Sequence, residues 1–480
     1  MKFNGFVGPA YTHNSLQVSA QTCKNLYIET TENMGKSSKI LVGSPGYKSF
    51  GYVPDTYGGG IRGLFPTTQN KLYAVRGYSL VESNSSGSGV LKGTLLTNNG
   101  PVSIAENVNQ IMVTDGAYGY ILDKTTELFT QITDPGFPTP GFVMYQDGYF
   151  ITNDNGSNQF YLSQLNDGLL WTPITFVSAE GSPDIITKII STNGQLWVFG
   201  QKSYEVWYNS GDPLFPYQRI PGTYNSIGLL AIESVAVISN TVFFLGGNKD
   251  GFGTVYMSNG YQVGQISTYP IETEIAGLTN PEDAIGFTYQ ENGHYFYVLS
   301  FQAGNKTFVY DLNEKAWHTR TSYNSLTNTE GRWNALYQAF AFNKNIIGDY
   351  TTGDLWELNS SIYTENGTEI LRERTAPVLF SEEDYNTIWY TSLEIDMQTG
   401  VGLNIGQGSD PQCMMQFSDD GGETWSNEYW QSIGKIGDFS NRIKWERLGT
   451  SNFRVFRIRI SDPVKCVIMG AVIDIVKGIN

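Results

Sequence analysis

Asn292-Gly293-His294-Tyr295-Phe296-Tyr297-Val298-Leu299 is the stretch that decides the fold, because a two-residue turn leads directly into an apolar and aromatic strand. Asn and Gly readily adopt the positive φ angles of tight hairpin turns, and aromatic and β-branched side chains favour strands. The same pattern occurs at Asn70–Val75, Asn109–Val113, Asp147–Ile151, Asn193–Phe199, Asn240–Leu245 and Asn343–Ile347. Candidate partner strands follow, as at Tyr204–Tyr208, Thr307–Asp311 and Asp354–Leu358. We therefore predict a series of repeated hairpins.

These hairpins are regularly spaced along the chain. Counted between Lys71, Gln110, Tyr149, Gln195, Thr241, His294 and Lys344, the steps are 39, 39, 46, 46, 53 and 50 residues. One four-stranded blade of a β-propeller takes about 40–50 residues, and blades arranged around an axis cover one another's faces. The spacing predicts an all-β protein with a β-propeller of seven blades, or of six if one hairpin belongs to an insertion. An irregular series of β-sandwiches is the alternative.

The strand pattern changes near both ends of the chain. Weak periodicity around Leu26–Glu29 and Ser44–Tyr47 indicates an extended arm and a strand that closes the propeller by joining its last blade. Leu393–Met397 alternates like a half-buried strand, and Val467–Ile473 is apolar on both faces, which is typical of a central strand. We predict an N-terminal extended arm and strand over residues 1–50, the β-propeller over residues 51–377 and a C-terminal β-sandwich over residues 378–480.

The composition limits the classes of function. The chain has 480 residues, of which 40% are hydrophobic and 16% charged, and its formal net charge is −16. Because an acidic protein repels the phosphate backbone of nucleic acids, a function in nucleic-acid recognition is disfavoured. Cys23, Cys413 and Cys466 are an odd number at wide spacing, which predicts free thiols rather than disulfides. No apolar run has the length of a signal peptide or a membrane span, so we expect synthesis in a cytoplasm and no contact with a membrane.

One motif is specific. Residues 418–425 read Ser-Asp-Asp-Gly-Gly-Glu-Thr-Trp and match the Asp-box pattern S-x-D-x-G-x-T-W, with fixed positions at Ser418, Asp420, Gly422, Thr424 and Trp425. In such a hairpin the Asp carboxylate accepts hydrogen bonds from the turn while the Trp packs beneath it. Asp boxes also occur in sialidases, where they are structural and lie far from the reacting sugar. The motif therefore predicts a structural hairpin.

Candidates for catalysis or metal binding are few. Arg219-Ile220-Pro221 is similar to a sialidase tripeptide that supplies an arginine for the substrate carboxylate, but it lies mid-chain, well before the Asp box. The acidic pairs Glu382-Glu383 and Asp419-Asp420 are typical of solvated loops. The three histidines, His13, His294 and His318, are not spaced along the chain like the ligands of a metal site. We predict no catalytic residue, no metal and no cofactor, with a glycan-binding or sialidase-like β-propeller as the alternative function.

Cations cluster in the C-terminal region. A possible interface patch consists of Arg442, Lys444, Arg447, Arg454, Arg457 and Arg459. On alternating strands several of these side chains would share a face, which favours a docking site for an acidic neighbour such as another copy of the chain. The alternative is a solvated strand face whose arginine stems cover apolar surface. DNA binding through the patch is disfavoured by the overall charge.

Both ends of the chain carry further landmarks. They are Cys23–Glu29 and Ser44–Tyr47 at the start, and Thr375–Phe380, Gln416–Gly421, Lys444–Gly449 and Phe456–Val464 at the end. Together with the repeated hairpins, these stretches resemble the packaged-DNA stabilisation proteins, also called tail hub or tail nozzle proteins, of short-tailed phages. The resemblance covers essentially the whole chain.

This resemblance implies a structural virion protein without catalytic residues. Proteins of this family form six-fold rings below the portal and its adaptor ring, which implies a hexameric homo-oligomer. They extend the DNA channel, help to retain packaged DNA that passes through the lumen without sequence-specific binding, and receive the tail needle or the tail fibres or spikes. The implied location is the tail of the virion, after assembly in the host cytoplasm.

Overall fold

Strands make up most of the secondary structure of the computed structural model, which describes residues 1–31, 36–178, 184–247, 253–324, 326–381 and 385–478. Within these ranges the helical segments are one α-helix, α1 (Tyr269–Ala276), and two short 3-10 turns, Ile232–Ser234 and Pro281–Asp283. The all-β class predicted from the sequence is confirmed.

Four strands precede the repeated hairpins. They are β1 (Thr22–Lys24), β2 (Leu26–Thr30), β3 (Lys39–Gly43) and β4 (Gly46–Tyr52). Strands β1, β3 and β4 pair with parts of the chain that are distant in sequence, whereas β2 pairs with β3.

The next sixteen strands form four antiparallel, four-stranded blades in chain order. Blade 1 contains β5 (Ile61–Pro66), β6 (Leu72–Arg76), β7 (Ser79–Ser83) and β8 (Gly89–Thr94). Blade 2 contains β9 (Ser103–Glu106), β10 (Gln110–Thr114), β11 (Gly119–Asp123) and β12 (Phe129–Gln131). Blade 3 contains β13 (Pro140–Gln146), β14 (Tyr149–Asp154), β15 (Gln159–Gln164) and β16 (Asp167–Ser178). Blade 4 contains β17 (Ile186–Thr192), β18 (Gln195–Gly200), β19 (Tyr204–Asn209) and β20 (Tyr217–Arg219).

The remaining blades depart slightly from this plan. In blade 5 the inner strand is split, and the members are β21 (Gly228–Leu229), β22 (Ala236–Ile238), β23 (Thr241–Gly247), β24 (Gly253–Asn259) and β25 (Gln262–Gln265). Blade 6 contains β26 (Ile285–Glu291), β27 (His294–Phe301), β28 (Lys306–Asp311) and β29 (Ala316–Thr319). A separate hairpin follows, formed by β30 (Thr321–Asn324) and β31 (Thr329–Arg332). Blade 7 takes three strands in sequence, β32 (Ala335–Ala341), β33 (Lys344–Asp349) and β34 (Asp354–Asn359).

The blades form a closed wheel. The first strands of neighbouring blades contact one another, except that blade 4 contacts blade 5 through β18 and β21, and β32 of blade 7 contacts β5 of blade 1. An apolar cluster lies between each pair of neighbouring blades. The part of the chain that the structure describes therefore contains seven blades, which decides between the six and seven that the sequence allowed.

Strand alternation explains how one blade serves two of these clusters. On β6, Leu72 and Ala74 pack toward blade 7, whereas Tyr73 and Val75 pack toward blade 2. Because side chains alternate between the two faces of a strand, a strand that is buried on both faces needs an uninterrupted apolar run. This is why the second strand of each blade gives the strongest sequence signal.

The N-terminal strand β4 completes blade 7, and the closing strand predicted from the sequence is therefore confirmed. It pairs antiparallel with β34, with Tyr47 opposite Leu358 and Gly46 opposite Asn359. The ring of Tyr47 is fully buried and stacks on Trp356 at 4.5 Å between ring centroids. The two ends of the propeller are thus joined by backbone hydrogen bonds and an aromatic contact.

Most of the C-terminal strands form a sandwich, whereas the first two join blade 7. They are β35 (Thr364–Glu365), β36 (Thr368–Glu369), β37 (Arg372–Thr375), β38 (Leu379–Phe380), β39 (Ile388–Met397), β40 (Gln412–Ser418), β41 (Tyr429–Ser432), β42 (Ile443–Glu446), β43 (Thr450–Ser451), β44 (Phe453–Ile460) and β45 (Val467–Lys477). One sheet has the order β2-β3-β45-β39-β42, and the facing strands run β37-β44-β40-β41. The strand predicted to be central, β45, lies between β3 and β39. The short pair β35–β36 extends blade 7 beside β4.

Strand β1 joins the propeller to the sandwich. It pairs parallel with β29 of blade 6 on one side and antiparallel with β37 on the other. Blade 6 and one sheet of the sandwich are therefore a single continuous sheet among the described residues. Since sheet hydrogen bonds cross the junction, the two parts are held rigidly together.

Replacing Tyr47 with Ala tests the closure of the wheel. Removal of a fully buried aromatic side chain typically costs about 3–5 kcal/mol, and we expect a loss of this size in the free energy of unfolding measured by urea denaturation. Tyr57 is 60% exposed, so Tyr57→Ala is the matched control and should change stability by less than about 1 kcal/mol. Equal effects of the two substitutions would show that β4 does not stabilise the propeller.

Candidate interaction site

The Asp-box hairpin adopts the hydrogen-bond pattern that its sequence predicts. The Asp420 carboxylate accepts hydrogen bonds from the Thr424 N–H at 3.0 Å and from the Thr424 hydroxyl at 2.5 Å. The Ser418 hydroxyl donates to Asp420 at 2.6 Å and accepts from the Gly422 N–H at 2.7 Å. Hydrogen bonds from Ser418 and then Thr424 lower the pKa of Asp420 well below its usual value. The carboxylate is thus fully engaged within its own turn.

Arg454 on β44 is buried and contacts this hairpin through its side chain. Its guanidinium donates to the Asp419 carboxylate at 2.5 and 2.7 Å and to the carbonyl oxygen of Leu448. It also lies 4.0 Å from the centroid of the Phe417 ring. A buried guanidinium with these contacts is not available to bind another protein. The prediction that Arg454 belongs to an exposed patch is therefore wrong.

Arg457 and Arg459 lie on the opposite face of β44, because residues at odd and even positions of a strand alternate. Arg457 donates to the Gln416 side chain at 2.6 and 3.1 Å and lies 3.9 Å from the Trp425 ring centroid. Burial lowers the pKa of Arg457 to about 10. Arg459 donates to Glu373 at 2.8 Å. These two cations face the Asp-box tryptophan and the junction with the propeller.

The remaining cations of the predicted patch belong to the other sheet. Arg442 directly precedes β42 and makes a two-pronged contact with Glu394 at 2.6 and 2.9 Å, and Lys444 on β42 lies 2.7 Å from Glu446. Arg447 follows the strand and is exposed. The structure therefore does not bring the six cations together on one face. A role in subunit contacts stays a prediction for the exposed Arg442 and Arg447.

A set of charges that are buried or half-buried lies at the junction between propeller and sandwich, and only Arg459 among them was predicted as part of a functional site. We call this set the polar seam: Lys24, Arg320, Glu365, Arg372, Glu373, Arg374 and Arg459. The three consecutive charged residues Arg372-Glu373-Arg374 are typical of an exposed segment. In the structure, however, β1 and β44 pair with the two edges of β37 and bury these side chains. Arg374 donates to the carbonyl oxygens of Phe6 at 2.8 Å and Gly5 at 2.9 Å. It thereby fixes the N-terminal segment against the sandwich.

Glu373 is the anion at the centre of the polar seam. It accepts a hydrogen bond from Arg459 at 2.8 Å, and the Lys24 ammonium lies 3.5 Å away. Burial alone would raise the pKa of Glu373, but Lys24 and Arg459 hold it below the usual value. One carboxylate therefore links the N-terminal strand to the sandwich.

Arg320 anchors the other end of the polar seam. Its guanidinium donates to the carbonyl oxygen of Pro45 at 2.7 Å and stacks over Trp333, 3.7 Å from the ring centroid. Glu365 lies 4.0 Å away and is buried, and desolvation raises its pKa. Pro45 directly precedes β4, so these contacts position the strand that closes the wheel.

His294, His318 and Arg219, which were weighed for catalysis, make contacts within the chain. His294 is buried, and its Nδ1 lies 2.6 Å from the Asp311 carboxylate; burial would lower the pKa of His294, but Asp311 raises it above the usual value. His318 is fully buried, which lowers its pKa to about 3. Arg219 lies on the outermost strand of blade 4, 3.6 Å from Glu205.

Glu382 and Glu383 lie outside the described residues. Among the residues that the structure describes, no group of three or more His, Cys, Asp or Glu side chains could hold a metal ion. The described helices include none that is long and apolar enough to span a membrane.

Comparison with protein families gives two matches that follow one another along the chain. The family model described as bacteriophage P22 Gp10, beta-propeller, matches residues 6–363. The model described as bacteriophage P22 Gp10, beta-sandwich, matches residues 372–476. No curated protein matches the chain.

Solved structures with a similar arrangement include the N-terminal domain of Nup159, at 13% identity and a TM-score of 0.43, covering 71% of this chain and 99% of that one. The WD40 domain of Neurospora crassa Pan2 has 8% identity and a TM-score of 0.43, covering 66% of this chain and 96% of that one. The extracellular domain of the two-component system BT4673 from B. thetaiotaomicron has 10% identity and a TM-score of 0.45, covering 88% of this chain and 58% of that one.

Replacing Asp420 with Asn tests whether the Asp box is a structural element. Because the pKa of Asp420 is lowered in the folded protein, its ionised form stabilises the fold above the ordinary aspartate pKa of about 4, and this contribution is lost as the pH falls further. We expect the variant to be less stable by about 1 kcal/mol at pH 7, with a smaller difference below pH 4. Thermal unfolding at several pH values measures this.

The exposed Glu423 in the same hairpin supplies the control. Glu423→Gln should leave the melting temperature unchanged at neutral pH. A difference between Asp420→Asn and the unaltered protein that stays constant down to pH 2 would contradict the role assigned to the carboxylate.

Proposed function

Because this chain belongs to the bacteriophage P22 Gp10 family, we propose that it is a structural tail hub subunit that forms a ring below the portal and its adaptor. In this role it extends the DNA channel, helps to retain packaged DNA and receives the tail needle or the tail fibres or spikes. It acts in the tail of the virion, after assembly in the host cytoplasm. The proposal includes no catalytic activity.

The observation that carries this proposal is the continuous sheet through β1, which fuses the propeller to the sandwich. A tail component has to transmit force between its neighbours without bending. Sheet hydrogen bonds and the polar seam cross the junction together, so a load on one part passes to the other. A protein whose two parts moved independently would be a poorer mechanical link.

The charge of the chain supports passage of DNA without tight binding. The net charge is −16, and most cations of the predicted patch are paired within the chain, as Arg442 is with Glu394 and Arg454 with Asp419. Protein cations that neutralise phosphates are the main source of non-sequence-specific affinity for DNA. A surface with few unpaired cations would let DNA slide through a channel.

A ring requires two different surfaces on each subunit. In a closed ring of more than two copies the contacts are head-to-tail, so one surface of a copy meets another surface of the next. Six copies are the number implied by the resemblance to tail hub proteins.

Electron microscopy of the purified chain mixed with the portal–adaptor assembly tests the proposal. We expect an additional six-fold ring below the adaptor, because the fused propeller and sandwich form a rigid building block. The portal–adaptor assembly alone is the control. Absence of added density at saturating chain, or density at a single peripheral position, would contradict the ring.

The alternative glycosidase function predicts turnover. The Asp420 carboxylate is engaged within its turn and Arg219 pairs with Glu205, so we expect no hydrolysis of sialosides by the purified chain. Hydrolysis that is abolished by Arg219→Ala would contradict the purely structural role.

A further inference from the structure

Two adjacent loops at one end of the sandwich form an exposed apolar surface, which we call the apolar tip: Leu403, Ile405, Ile436 and Phe439. Ile405 is 84% exposed, Phe439 76% and Ile436 59%. Single exposed apolar side chains are common on proteins, but a group of them on neighbouring loops marks an interaction site. The apolar tip is therefore a candidate site for contact with another apolar surface.

Hydrogen bonds between and within the two loops hold the apolar tip in place. The Thr399 hydroxyl donates to the carbonyl oxygen of Phe439 at 3.0 Å, and the Gly437 N–H donates to Gly400 at 3.2 Å. Within the first loop, the Leu403 N–H donates to the Gly408 carbonyl oxygen at 2.7 Å. A surface that is already ordered loses little conformational entropy when it binds.

An apolar cavity lies on a different part of the molecule, between the N-terminal segment, α1 and the outer strand of blade 6. Its volume is about 330 Å³. A cavity of about 150 Å³ is enough to hold a benzene molecule, so this one can accept one or two apolar side chains. Its apolar walls are formed by Pro9, Ala10, Pro270, Ile271, Phe308 and Trp317.

The rims of the two surfaces carry opposite charges. Lys24, Lys306, Lys315 and Glu274 surround the cavity. Lys24 is paired with Glu330 and Lys306 with Glu274, whereas the exposed Lys315 makes no ion pair with the described residues. The apolar tip is flanked by the exposed carboxylates Asp410 and Asp438 and by one cation, Lys435. Two copies that each carry a charge of −16 repel one another, so a contact between them needs local complementarity of this kind.

We propose that the apolar tip of one copy of this chain inserts into the lysine-rimmed cavity of the next copy. The proposal rests on the proposed ring and names the contact that builds it. Tip and cavity lie on the same chain but share no residue, so the contact is head-to-tail and each copy offers one of each. Repetition of the contact either closes a ring or continues as a filament, and the portal–adaptor assembly favours closure.

Cross-linking of paired cysteines tests this contact. Asn404→Cys and Thr268→Cys place one thiol in the apolar tip and one on the cavity rim, both at exposed positions that carry no charge. The native Cys23, Cys413 and Cys466 are buried, and burial raises the pKa of each thiol, so they react slowly. With a short bis-maleimide linker and the portal–adaptor assembly, the double variant should give a ladder of covalent oligomers on a denaturing gel. Each single variant should give at least tenfold less product.

Ile405→Asp, added to the double variant, places a charge where the tip enters the apolar cavity and should abolish the ladder. Leu214 is 85% exposed in a propeller loop, so Leu214→Asp is the matched control and should leave the ladder unchanged. A six-fold ring visible by electron microscopy without a ladder would overturn this contact while leaving the ring intact. Dimers from either single variant would also overturn it, since they indicate symmetric pairing. Absence of the ring itself would remove the proposed function as well.

Discussion

An open sheet edge is the constraint on which this structure depends. A row of unpaired backbone groups either binds another strand or has to be covered. Within residues 22–52, β1 lies between blade 6 and the sandwich, β2 and β3 extend the second sheet of the sandwich, and β4 completes blade 7. One N-terminal segment thus supplies strands that pair with the backbone groups of three different sheets. The same pairing makes the propeller and the sandwich a single mechanical unit, which is the property a tail component needs.

The propeller could be predicted from the sequence because its signal is local. Strand β18 begins at Gln195 and β27 at His294, where the turn residues Asn193-Gly194 and Asn292-Gly293 predict them, and all four turn residues have positive φ angles. The apolar run that follows each turn is buried on both faces between two blades. The split inner strand of blade 5 has no such signal, since β21 and β22 are too short to show a pattern.

The junction could not be predicted, because it is made by residues that are far apart in sequence. Thr22 lies opposite Thr375, and no local pattern relates the two. The Asp box was predicted because its hydrogen bonds join residues within one short hairpin. The prediction of a single cationic patch was wrong in part. Its members lie on two different sheets, and Arg454 lies on the opposite face of β44 from Arg457. The expected domain boundaries after residues 50 and 377 stay predictions; β4 and β37 pair with strands beyond them.

Hydrogen exchange of the full-length chain, followed by mass spectrometry, tests most directly whether the N-terminal segment joins the two parts. If β1 and β4 are integral strands, peptides covering residues 22–24 and 46–52 exchange as slowly as those covering β33 and β39, since all of them open only when the fold does. Fast exchange of these two peptides, while the blades and the sandwich stay protected, would contradict the account. It would mean that the wheel is not closed by β4 and that the sandwich is attached by a loose connection.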